Sequence, residues 1–164
     1  MNDDGKIKYC FDTSAIVDSW RRYYRPNVFN NLWDKIGHFI EEGKILIPEE
    51  VYKEIGAGED QLILWIKKYK TSIIPITEDQ IAIVSNIVNK YPLVSQYKKP
   101  RPYHADPFVV AVGKVTDSVV VTYEGNGGKG SDHPRIPALC KEYGVDCCSM
   151  MDFFEREGWQ FNFK

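Results

Sequence analysis

Ser118-Val119-Val120-Val121-Thr122 is the stretch on which the fold turns. Its centre is apolar without alternation, the pattern of a strand covered on both sides, and such strands belong to parallel sheets flanked by helices. On either side of it, helices and strands alternate. Residues 105–115 read as a helix buried on more than one face and 136–143 as a short helix. Residues 145–148 are a last strand, and 149–157 a closing helix with Ser149 as its cap. A glycine-rich loop, 125–134, separates the central strand from the helix at 136–143.

Toward the other end, Ile7-Lys8-Tyr9-Cys10-Phe11 is a run of β-formers ended by Asp12-Thr13-Ser14. Thr13 or Ser14 can cap a helix carrying Ala15, Ile16, Trp20 and Tyr23, which Pro26 and Asn27 break. Phe29, Leu32, Trp33, Ile36, Phe39 and Ile40 make an i, i+3, i+4, i+7 stripe on a second helix. Lys44-Ile45-Leu46-Ile47 is a second strand. Pro48 at a first helical position, with Glu49 and Glu50 meeting the helix dipole, then opens a helix through Ile55. Residues 62–69 form another short helix, and Ile73-Ile74-Pro75-Ile76 is a strand that its proline assigns to an edge. Thr77-Glu78-Asp79-Gln80 is a capping box before a helix bearing Ile81, Val84, Ile87 and Val88. Residues 91–103 hold Pro92, Pro100 and Pro102 and read as a loop. Strands alternating with helices throughout predict a single-domain α/β/α sandwich over residues 1–164, with a mostly parallel central sheet.

The 164 residues suit one domain, and 21 Lys+Arg against 23 Asp+Glu leave a net charge of −2. That balance argues against coating nucleic acid indiscriminately but leaves room for a local basic patch. No apolar run reaches the roughly 20 residues of a membrane span. The acidic, polar Met1-Asn2-Asp3-Asp4-Gly5-Lys6 is not a secretory signal. Cys10, Cys140, Cys147 and Cys148 lack C-x-x-C spacing and read as buried thiols, so a cytoplasmic protein is expected.

In a parallel sheet ligands bind beyond the carboxyl ends of the strands. Asp12 follows the first strand, and Glu124 lies just past the strand ending at Thr122. Glu54 lies along the helix after the second strand, and Asp106 opens the helix after the basic loop. Four carboxylates in one cleft repel one another, and a hard divalent cation removes that penalty; all-oxygen sites favour Mg²⁺ or Mn²⁺ over Zn²⁺. Plainer explanations stand beside this one. Asp12 and Asp106 can cap the helices they precede, and Glu124 can be a solvated loop acid. Arg21-Arg22-Tyr23-Tyr24-Arg25 and Tyr97-Lys98-Lys99-Pro100-Arg101-Pro102-Tyr103 interleave cations with aromatics, which suits RNA and equally suits a solvated helix end and an ordinary loop. His104 and His133 have no paired ligand spacing. Lys129 is followed by Gly130, so the glycine loop is not a phosphate loop.

Taken in order, Phe11-Asp12-Thr13-Ser14-Ala15, Pro48-Glu49-Glu50-Val51-Tyr52-Lys53-Glu54-Ile55, Ala105-Asp106-Pro107-Phe108-Val109-Val110-Ala111 and Val121-Thr122-Tyr123-Glu124 resemble the PIN-domain nucleases over essentially the whole chain. The resemblance implies a Mg²⁺- or Mn²⁺-dependent endoribonuclease, often the toxin of a VapBC toxin–antitoxin pair. It places catalytic and metal-binding acids at Asp12, Glu54, Asp106 and Glu124. Glu124 stands where the family more often has Asp, with Asp132 in the glycine loop as the alternative fourth acid. The middle of the chain and the 91–103 loop look more like a stand-alone PIN-like branch than the compact toxins. The expected partners are single-stranded or structured RNA, a cognate antitoxin and a second copy of the chain, with no membrane. Two other readings stay open: a PIN-like module that binds RNA or protein without cleaving, and a metal-dependent phosphoesterase acting on small substrates.

Overall fold

The computed structural model describes residues 5–58, 60–95, 104–125 and 134–162. Strands β1 (Tyr9–Phe11), β2 (Ile45–Leu46), β3 (Val119–Val121) and β4 (Cys147–Cys148) form one sheet in the order β2-β1-β3-β4. Every pairing is parallel, with Tyr9 opposite Ile45 and Val119, and Val121 opposite Cys148. The unbroken apolar run keeps its expected place: β3 is buried along its whole length.

The strands are shorter than the sequence suggests. Ile7 is 54% exposed and lies outside β1. The stretch 73–76 does not form a strand. It meets the sheet at one bridge, where Ile74 N donates to Ile47 O at 2.9 Å and Glu49 N donates to Ile74 O at 3.0 Å. The ladder stops there because the partner segment turns into a helix at Glu49.

Helix α1 (Thr13–Asp18) follows β1 and runs on into a π-helical turn, Ser19–Tyr23, in which Tyr24 N donates to Ser19 O at 2.6 Å. Helices α2 (Asn30–Glu41), α3 (Glu49–Gly56), α4 (Gln61–Lys67) and α5 (Glu78–Lys90) fill the middle of the chain. Helices α6 (Asp106–Thr116), α7 (Ile136–Tyr143) and α8 (Met150–Arg156) complete it. Among the described residues, no helix is long and apolar enough to cross a membrane.

Several caps differ from expectation. Asp12, not Thr13 or Ser14, caps α1, because its extended backbone (ψ 159°) aims the carboxylate at Thr13 N, 2.7 Å away. Pro48 is the cap residue of α3 rather than its first helical residue. At α5 only half of the capping box forms: Thr77 accepts from Gln80 N at 3.3 Å, while the Gln80 amide donates to Pro75 O at 3.0 Å. That bond buries Gln80 and turns Ile81 outward to 45% exposure. The complete capping box is at α8, where Ser149 and Asp152 bond each other's backbone N–H groups.

Alternation along β1 makes the two sides of the sandwich. Tyr9 and Phe11 face α8, with edge-on contacts to Phe153 at 4.7 and 5.2 Å between ring centroids. Cys10 faces α6, its thiol 3.7 Å from Val109 O. Gly113 lets α6 lie close on the sheet, since a Cβ there would stand 2.8 Å from Val120 Cγ2 and 2.9 Å from Val145 Cγ1. Beside this core Trp20, Trp33 and Trp65 pack together, Trp33 against the others at 4.8 and 5.2 Å, and fasten the π-helical turn, α2 and α4 to one another.

Candidate functional site

The carboxyl end of β1 delivers Asp12, and the carboxyl end of β3 delivers Thr122, Tyr123 and Glu124. The two segments are tied directly, with Asp12 N donating to Val121 O at 3.0 Å. Asp12 is 3% exposed. Its Oδ1 accepts from Thr13 N at 2.7 Å, and its Oδ2 accepts from the hydroxyls of Ser14 at 2.7 Å and Thr122 at 2.8 Å. Those hydroxyls are held in turn: Ser14 Oγ accepts from Tyr123 N at 3.0 Å, and Thr122 Oγ1 accepts from Glu124 N at 3.0 Å.

Electrostatically this is a costly place for an acid. Burial pushes the Asp12 carboxyl above its ordinary value of 3.8, outweighing the hydroxyls of Ser14 and Thr122 and the backbone N–H groups of Thr13 and Ser14. No Lys or Arg among the described residues pairs with it. Thr13 Oγ1, next along the chain, is buried with no hydrogen-bond partner among the described residues.

Asp106 is the first residue of α6, the helix that runs back to feed β3. Since α6 lies antiparallel to β3 and Val109 packs on Cys10, its first turn sits at the same carboxyl edge as Asp12. The capping alternative for Asp106 does not hold, because Ala105 occupies the cap position and no side chain caps the helix there. Glu54 is brought to this place from α3: its Oε2 accepts from Ala105 N at 3.3 Å, immediately before Asp106. Glu124 reaches forward instead, and its Oε2 accepts from Ile136 N at 2.8 Å, at the start of α7. It is thus half-buried and bonded to backbone rather than a solvated loop acid.

The Cys147 thiol feels both strand-end acids. Contact with the Cys140 thiol holds it below its ordinary value, while burial and the charges of Asp146, Asp12 and Glu124 push it the other way. The acids therefore fall into two groups, Asp12 with Glu124 across β1 and β3, and Glu54 with Asp106 at the head of α6. Among the described residues, no three His, Cys, Asp or Glu side chains are gathered closely enough to enclose a cation. The donors present are carboxylate and hydroxyl oxygens, the chemistry that hard cations take. The buried, unpartnered Thr13 Oγ1 beside Asp12 adds another such oxygen, so the residues fit Mg²⁺ or Mn²⁺.

Ser14, Thr122, Ser19 and Tyr123 are residues around Asp12 that spacing alone did not single out. The signal was there in a weak form, as a hydroxyl two residues after Asp12 and another two before Glu124. Glu49 and Glu50 sit in the first turn of α3 as expected, with Glu50 3.2 Å from Lys53. Arg21 is bound to Asp60 at 2.8 Å, and Arg22 is 4.0 Å from Asp18. Asp132, His133, the 97–103 basic stretch and most of the glycine loop lie outside the described residues.

No curated protein matches the sequence. Solved structures similar to it include three that span most of the chain. VapBC from Salmonella typhimurium bound to DNA is 13% identical, covering 88% of this chain and 98% of that one, with a TM-score of 0.50. VapBC2 from Rickettsia felis bound to a DNA fragment from its promoter is 10% identical over 87% and 98%, with a TM-score of 0.49. PAE2754 from Pyrobaculum aerophilum is 14% identical over 94% and 97%, with a TM-score of 0.48. The likeness to the Salmonella structure shows the fold, which is PIN-like, an α/β sandwich on a parallel sheet. A family model described as a domain of unknown function, DUF4411, matches residues 9–161, and the chain belongs to that family.

Proposed function

We propose that the chain is a Mg²⁺- or Mn²⁺-dependent endoribonuclease cleaving single-stranded RNA at the carboxyl edge of the sheet. Asp12 is its chief metal ligand, Asp106 and Glu54 act from the head of α6, and Glu124 acts from beyond β3. The observation that carries this reading is Asp12 itself, an acid 3% exposed, clamped by two hydroxyls and a backbone N–H, with no cation among the described residues to offset its charge. Folded proteins rarely bury a carboxylate in this way without a use for it.

When bound, the divalent ion supplies compensation for the phosphodiester's charge and an acidified water as nucleophile. The chain's own part is positional. Ser14 and Thr122 fix the carboxylate of Asp12, so that its orientation costs nothing at the moment of binding. Glu54, bonded to Ala105 N, fixes the entry to α6 and so the direction of Asp106.

Asp106→Asn tests the reading. Cleavage of a labelled, unstructured RNA in Mn²⁺ should be abolished while RNA binding is kept, since the change leaves Arg22, Arg25 and the basic 97–103 stretch intact. A wild type that binds RNA but never cuts it under any divalent metal would sink the nuclease reading. The binding-module alternative would then stand, and one observation favours it. The carboxylates of Glu54 and Glu124 are both spent on backbone N–H groups. The same reading extends to one domain over residues 1–164, placed in the cytoplasm and acting as the toxin partner of an antitoxin, with a homodimer as its assembly. Co-purification with the product of an adjacent reading frame tests that extension.

A further inference from the structure

We propose that the ring of Tyr23 is a stacking platform for one unpaired base of single-stranded RNA, set beside the Asp12 cluster by the ring of Tyr123. The proposal rests on the ribonucleolytic reading for its substrate class, but not on cleavage itself. Tyr23 is 55% exposed, and its ring lies on that of Tyr123 with centroids 5.0 Å apart and an interplanar angle of 30°. A large apolar ring with one face covered and much of the rest in water is what a base needs, because every base has a π-face and stacking on an aromatic tolerates any sequence.

The platform is held from beneath at both ends. Tyr123 N donates to Ser14 Oγ at 3.0 Å, and that same oxygen donates to Asp12 at 2.7 Å. The Tyr123 hydroxyl is 2.9 Å from Ser19 Oγ. Through the Tyr123 ring, Tyr23 is thus joined to a residue that clamps Asp12. Tyr23 is the last residue of the π-helical turn Ser19–Tyr23, which the bond from Tyr24 N to Ser19 O closes at 2.6 Å. Such turns recur at functional sites.

Arginines stand on either side of Tyr23 in the sequence, at positions 22 and 25. The Arg22 side chain is 72% exposed, and exposed Arg25 is held to the same helix end by its Nε bond to Arg21 O at 3.1 Å. Arg21 is anchored on Asp60, which keeps the segment from swinging away. An exposed aromatic between arginines, on a fixed support beside the acidic site, matches unpaired nucleic acid better than a duplex, whose bases are already stacked.

The test uses the full chain and an unstructured RNA carrying a single 2-aminopurine at successive positions, bound in EDTA at low salt so that no cleavage intervenes. The wild type should quench the probe at one position. Tyr23→Ala should lose the quench and weaken binding by about 10-fold. Tyr23→Trp, which keeps a larger π-face, should retain both and shows that position 23 tolerates change. In Mn²⁺ the Ala variant should raise KM with kcat little altered. Quenching in a wild type that never cleaves RNA would overturn the nuclease reading and support the platform. Quenching at no position, or unchanged in Tyr23→Ala, would overturn the platform even if cleavage is normal. A Tyr23→Ala chain that loses antitoxin binding while keeping the quench would also overturn it, in favour of a protein contact.

Discussion

The two ends of the sheet handle charge in opposite ways. At the carboxyl end Asp12 is buried, faces hydroxyls and has no cation among the described residues. At the amino end a cavity of about 320 Å³ opens between the start of β3 and the end of α6, lined by Lys6, Lys114, Asp117, Asp146 and Arg156. There charge meets opposite charge in water, as with Arg156 Nη1 and Asp146 Oδ2 at 3.0 Å, with side chains 38% and 61% exposed. Both ends carry acids, yet only one holds an acid at a cost to stability. A cavity is a weaker pointer to function here than one charge kept against its own desolvation.

Activity should separate the two ends most sharply. Asp12→Asn should cut RNA cleavage by on the order of 100-fold or more, since a divalent ion's charge stabilisation amounts to several kcal/mol. Asp146→Asn, at the opposite end, should leave the rate unchanged in the same assay. Equal losses from both would erase the distinction.

Packing comes next. Gly113→Ala would press a methyl into Val120 and Val145, the side chains that seat α6 on the sheet near the amino end. Overpacking of this kind should cost about 1–3 kcal/mol, seen as a lower urea midpoint with unchanged slope. A neutral result would mean that α6 is loosely seated and that the amino end depends on charge rather than packing.

Asp12 also predicts a pH dependence. Its carboxyl is raised in the fold, so the native state holds a proton over a range where the unfolded chain has lost it. The resulting stability is fully present below the ordinary carboxyl value of 3.8 and is lost as pH rises through the raised value in the fold. Near neutral pH, in metal-free buffer, Asp12→Asn should therefore raise Tm by about 2–4 °C for each kcal/mol relieved. The gain should shrink toward acid pH. The amide can keep its oxygen on Thr13 N and donate to the hydroxyls of Ser14 and Thr122, which rotate to accept. Mn²⁺ should raise Tm in the wild type by mass action and leave Asp12→Asn unmoved. The weakest effect belongs to the amino end, where a double-mutant cycle on Arg156 and Asp146 should yield no more than about 1 kcal/mol.

Much of the fold was legible in the sequence, and so was the placing of Asp12 and Asp106 at one edge of the sheet, for reasons that are local. Val119–Val121 announced a doubly covered strand because burial on both faces forbids alternation. Asp12 and Asp106 were legible because strand-to-helix junctions are written in adjacent residue types. The stretch 73–76 misled because β-propensity is local, whereas a ladder needs an extended partner, and the neighbouring segment turns into α3 at Glu49. The Thr122 hydroxyl on Asp12 spans a separation of 110 residues, and no spacing rule reaches that far. The π-helical turn left no trace either, since Ser19-Trp20-Arg21-Arg22-Tyr23 differs in no residue type from an ordinary helix.

The bond from the Tyr9 hydroxyl to Glu157, at 3.0 Å, joins the first strand to the residue that caps the end of α8. Phe153 on the same helix packs on Tyr9 and Phe11, and β1 is an interior strand that pairs with β3 from far along the chain. During synthesis, then, β1 leaves the ribosome before β2, β3 and α8 and waits for all three. Non-local pairing of this kind makes folding late and cooperative, because loop closure must precede the contacts that reward it. Asp12 is translated 110 residues before Thr122, which completes its clamp, and its strand gains its cover only after residue 157. A nascent chain therefore carries the acids without the site, and whatever chemistry the site performs begins after the ribosome has passed them all.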